Sequence, residues 1–60
     1  MIVKDLAQVI FDNVILYKQV ADGFEDIYKG KLTNVNIELT NMKVCNMGAM
    51  KKGIIDIRVE

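Results

Sequence analysis

The side chains able to do chemistry in this chain are few. Histidine and serine are both absent, which removes the commonest general base and metal ligand and every serine triad. The one thiol, Cys45, sits between Val44 and Asn46 with no histidine to activate it. A core or half-buried strand cysteine is therefore expected rather than a nucleophile. Asp22, Glu25 and Asp26 bracket a turn but lack the alternating oxygens and closing glutamate of an ion-binding loop. Glycines 23, 30, 48 and 53 match neither dinucleotide nor phosphate-loop spacing. Paired carboxylates for glycoside chemistry need a cleft that so short a chain scarcely offers. The reading is non-enzymatic, with no catalytic residue, metal or cofactor.

Binding material is richer. Tyr17-Lys18, Tyr28-Lys29 with Lys31, and Lys51-Lys52 set cations beside rings or in a glycine-flanked segment. Phe24, Tyr28, Lys29 and Lys31 make the densest group, and Arg58 lies on the polar side of the last strand. Rings stack on a nucleobase, while lysine, arginine and backbone amides hold phosphate oxygens. These five residues are the candidate ligand-binding set. The plainer alternative has the tyrosines finishing the sheet and the lysines solvating its edges. A pocket of useful size requires groups from two chains to converge.

The elements that would carry these residues can be read from periodicity. Residues 3–12 (VKDLAQVIFD) place Lys4, Asp5, Gln8 and Asp12 on one polar stripe at helical spacing, so a helix is expected there. Ile2 is a poor N-cap, while Asp5 suits the first turn. Its apolar arc exceeds what one sheet face needs. Strands are expected at residues 14–18 and 24–29, joined by a turn holding Asp22-Gly23, the strong hairpin dipeptide. Residues 33–41 read as an irregular connection with a single helical turn, because Asn34 and Asn36 interrupt the Val35-Ile37-Leu39 alternation. A third strand is expected at 42–47, a loop at 48–53 and a fourth strand at 54–59. In the last, Ile55, Ile57 and Val59 oppose Asp56, Arg58 and Glu60. The expected fold is α+β: an N-terminal helix on one face of a four-stranded, mainly antiparallel sheet.

One domain of 60 residues exhausts the chain. Surface scaling gives roughly 3,900 Å² folded and 9,900 Å² unfolded. If about 60% of the difference is apolar, burial contributes roughly 90 kcal/mol, and ordering the chain costs about the same. A lone chain is marginal. One cysteine closes no internal disulfide, so oligomerisation is the expected remedy. Hydrophobic residues make 52%; with the glycines this exceeds the ~45–50% of ordinary domains. One short helix covers only one side of a sheet, so apolar groups on the other side need a second chain. Net charge is zero, from 8 basic and 8 acidic residues, which disfavours nucleic acid. The longest wholly apolar strand run, Val14-Ile15-Leu16, is far short of a membrane span. A free thiol and no secretory pattern point to a reducing cytoplasm.

The run VKDLAQVIFDNVILYK, the segment FEDIYKGKL and the closing GIIDIRV resemble tiny proteins encoded by phages and prophages of Gram-positive bacteria. Those open with a "VKDL"-type helix, continue into a hairpin and close with a "GILDI"-type strand. The resemblance spans nearly the whole chain and carries no catalytic signature. It implies an anti-defence protein of the host cytoplasm, since some such proteins are oligomeric sponges for nucleotide signals of Thoeris or CBASS defences. The first functional expectation is thus a homo-oligomer sequestering a cyclic-nucleotide or cyclic ADP-ribose-type signal between subunits. The second is a protein-interaction module that blocks a host or phage protein through an exposed sheet edge or apolar face. Neutral charge favours the second.

Overall fold

The computed structural model describes residues 1–51 and 53–60, leaving aside the side chains of residues 50 and 51. It is an α+β fold. In chain order come helix α1 (Val3–Leu6), strands β1 (Asn13–Val20) and β2 (Gly23–Lys31), a 3-10 turn (Leu32–Asn34), helix α2 (Ile37–Thr40), and strands β3 (Val44–Lys51) and β4 (Ile54–Val59). The sheet order is β2-β1-β4-β3. Both hairpins are antiparallel, while the central β1–β4 pair is parallel. The sheet is therefore mixed.

Ala21-Asp22 leaves Gly23 at φ 137°, a backbone conformation that favours glycine, and β1 turns back as β2. From the far edge the chain crosses one face of the sheet through Leu32, Val35, Leu39 and Met42 before entering β3. That crossing and α1 cover the same face. The core beneath them is Val3, Leu6, Val14, Leu16, Leu32, Ile57 and Val59, all nearly inaccessible. Burying seven such side chains contributes roughly 10–20 kcal/mol.

The first helix is shorter than its periodicity suggests. Val3, Leu6, Ala7 and Ile10 do form one stripe against the core, but regular helix stops at Leu6. Val9 and Ile10 both donate to Leu6 O, at 3.0 and 2.9 Å, as a tightened last turn does. β-Branched Val9 and Ile10 and aromatic Phe11 gain little from continuing as helix. Asp5 supports the start by accepting from the Ile2 backbone N–H at 3.1 Å. The surplus of the apolar arc, Val9 and Phe11, lies in solvent, 69% and 71% exposed.

The third strand also departs from expectation. It starts at Val44 and runs through Gly48 to Lys51, where a loop was expected. Lys52 lies outside the described residues. Gly48 pairs with Asp56 and Ala49 with Ile55, so the regular β4 strand draws this glycine-containing segment into its ladder. The connection 32–43 is irregular with short turns, as its asparagines suggest; Asn36 caps α2 by accepting from Glu38 N–H at 3.0 Å. Cys45 is exposed, against the expectation of burial, because the β3–β4 register shifts between Val44 and Asn46 and leaves Cys45 without a cross-strand partner.

Candidate functional site

The crossing and helices use one face of the sheet and leave the other open. Register assigns the open face. Ile15 lies opposite Lys29 and Asp56, Tyr17 opposite Asp26 and Arg58, and Gln19 opposite Phe24. At its centre Tyr17 and Phe24 meet edge to face, with ring centroids 5.5 Å apart. The Arg58 guanidinium lies 5.5 Å from the Phe24 ring centre, and its Nη2 donates to Gln19 Oε1 at 2.9 Å. Ring, cation and amide thus hold one another in place.

Asp56 has an unusual position on that face. Its Oδ1 is buried and, among the described residues, has no hydrogen-bond partner. Ile15 and Gly48 flank it on the neighbouring strands. Ile15, Tyr17, Phe24, Asp26 and Asp56 line an open depression of about 190 Å³. A second one, about 410 Å³, lies beside Arg58 between Gln19 and Glu60. Lys29 pairs with Asp26 at 3.9 Å with both side chains largely in water, a contact of little energetic weight.

Of the five candidate ligand-binding residues, the fold brings Phe24 and Arg58 together and puts Lys29 elsewhere on the same face. Tyr28 lies on the covered side, opposite Leu16, and its hydroxyl donates to Lys31 O at 2.5 Å. Lys31 Nζ donates to Phe11 O at 2.6 Å, so that lysine staples β2 to the segment after α1. Sequence reasoning missed Gln19 and Asp56, and named Tyr17 as binding material without placing it in the candidate set. The clue to Asp56 and Arg58 sharing a face was the alternation of β4; Tyr17 and Gln19 join them only through the non-local β1–β4 pairing.

The sheet edges differ. β2 carries Glu25, Asp26, Lys29 and Lys31, and a register shift opposite Leu16/Tyr17: charges and irregularity that guard an edge. β3 has no charged residue from Val44 to Met50. Among the described residues its outer side is covered only at the start, where Val44 N–H donates to Met1 O at 2.9 Å and Ile2 bridges Lys43. Further along, the Met47 N–H is met by the Asn46 side chain at 2.8 Å, not by another strand. Cys45, Asn46, Met47, Gly48 and Ala49 are all exposed.

The Cys45 thiol has its pKa raised, first by lost hydration at the sheet surface and then by the Glu60 carboxylate beside it. That favours the unreactive thiol. Among the described residues no three His, Cys, Asp or Glu side chains converge as a metal site would require, and no helix is long and apolar enough to cross a membrane. Comparison with protein-family models, curated proteins and solved structures finds no match to this chain.

Proposed function

We propose that this chain is a non-enzymatic interaction module, working as a homo-oligomer in the bacterial cytoplasm, that blocks or tunes a partner protein by pairing with an extended segment of it along the free edge of β3. The observation that carries this reading is the uncharged, exposed row from Cys45 to Ala49, set against a β2 edge that is charged. An added strand gains main-chain hydrogen bonds from such a row, and the alternate side chains supply selectivity. Sequestration of a nucleotide-derived signal asks for rings and cations at one place; a single chain supplies the Phe24–Arg58 pair and ties Tyr28 and Lys31 elsewhere.

The test compares the intact protein with Met47→Lys. Met47 is 48% exposed, so the exchange has little effect on folding, and it sets an edge lysine where natural sheets use one to refuse strands. The expected result is that the intact protein retains a discrete host protein on an affinity column and Met47→Lys does not, with unchanged circular dichroism. Equal retention by both proteins overturns the edge reading. A thermal shift of several degrees with cyclic dinucleotides or cyclic ADP-ribose, abolished by Arg58→Ala, would replace it with sequestration.

A further inference from the structure

The open face of the sheet is a surface distinct from the β3 edge. We propose that this face packs against the same face of a second copy of the chain, making a helix–sheet–sheet–helix homodimer in which Arg58 of each copy reaches Asp56 of the other.

Charge is the first argument. Around Ile15 and Tyr17 the face carries Lys29 and Arg58 against Asp26 and Asp56, so the charges at its centre cancel, with Glu60 beyond them at the end of the strand. A partner of either sign gains nothing overall from such a surface. A two-fold-related copy does, because in an isologous contact each residue meets its counterpart reciprocally. Arg58 and Asp56 stand two residues apart on one strand, and within one chain the guanidinium bonds Gln19 while Asp56 Oδ1 stays buried without a partner among the described residues. Oδ1 is closed off by its own chain while Asp56 as a whole is half-buried, so a turn of the carboxylate brings it to a donor from outside; a carboxylate oxygen needs such a donor, and a guanidinium has five. Antiparallel apposition of two β4 strands brings each Arg58 toward the opposite Asp56, with Ile15, Tyr17 and Phe24 around the pair. Aromatic residues and arginine are the types enriched at interface centres.

Area is the second argument. The chain measures 31 × 26 × 17 Å, and the short dimension fits a sheet with a helix layer about 10 Å away. An ellipse on the two long extents covers roughly 630 Å², so two faces in contact bury over about 1,000 Å², the threshold for a specific interface. Need is the third. The isolated chain exposes 4239 Å², above the roughly 3,900 Å² expected for its mass, around a core of seven buried side chains.

Sedimentation with charge reversal tests the pairing. The intact protein is expected to sediment at twice 6.8 kDa at micromolar concentration. Asp56→Arg and Arg58→Asp alone are each expected to raise the dimer dissociation constant at least about 30-fold, by setting like charges together. The double exchange Asp56→Arg/Arg58→Asp restores the pair with roles reversed and is expected to recover most of the affinity. Met47→Lys is expected to leave the dimer intact, which separates this interface from the β3 edge. A monomer at all concentrations overturns the proposal, as does a dimer indifferent to all three face variants. Should a single variant unfold, the double exchange still decides: a folded dimer supports the pairing, and a folded monomer refutes it.

Discussion

Cys45 shows how far one residue's surroundings can depart from its type. Cysteine is among the most buried residues in proteins, yet here it stands exposed at a register shift. Lost hydration and the Glu60 carboxylate raise its pKa, so at any given pH less thiolate is present than in a free peptide. Alkylation by iodoacetamide is expected to rise with pH around a midpoint above that of a peptide thiol, and Glu60→Gln is expected to bring the midpoint down; a midpoint below the peptide's would refute this. The sign for stability follows. The folded state favours the protonated thiol, so that contribution is whole below the unfolded thiol's pKa and is lost as pH rises through the folded value. Cys45→Ala is expected to leave the denaturant melt essentially unchanged, as at other surface sites. Gly30 is the opposite case. It sits at φ 138° with Tyr28 Oη 3.2 Å from where a Cβ would stand. Gly30→Ala combines backbone strain with the displacement of a hydrogen-bonded tyrosine, and a loss of about 1–3 kcal/mol in denaturant melts is expected.

Among the elements, legibility followed locality. β4 lies where its alternation predicts, residues 54–59, and the Asp22-Gly23 turn joins β1 to β2, because both signals are contained in a few adjacent residues. Residues 3–12 carry a helical stripe whose inner half, Val3, Leu6, Ala7 and Ile10, packs on the core, but periodicity cannot say where hydrogen bonding stops. Leu6→Ala is therefore expected to cost about 2–4 kcal/mol, whereas Val9→Gln, equally apolar in sequence yet 69% exposed, is expected to stay within about 0.5 kcal/mol. Near-equal losses would mean the helix extends through Val9. The strand through Gly48 was illegible because glycine disfavours strands intrinsically and only pairing with β4 overrides it. Of the candidate site, Phe24 and Arg58 converge through long-range pairing, and Tyr28 is drawn to the covered side by a shift in the β1–β2 register that no local pattern announces.

At the scale of the whole molecule, a four-stranded sheet with one covered face leaves two unfinished surfaces, an edge and a face. Under the proposed dimer, the small core and large exposed area place folding and association under one free-energy balance. Where assembly stabilises the fold, the melting temperature falls on dilution, so tenfold dilution is expected to lower it by a few degrees, and Asp56→Arg to remove that dependence. The most direct measurement of the proposed face-to-face contact is an isotope-filtered NMR experiment on a mixture of labelled and unlabelled chains. Intermolecular contacts are predicted from Tyr17, Phe24 and Ile15 of one chain to Arg58 of the other. Intermolecular contacts confined to Val9, Phe11 and Ile37 on the covered side, or none at all at concentrations where the protein sediments as a dimer, would contradict it.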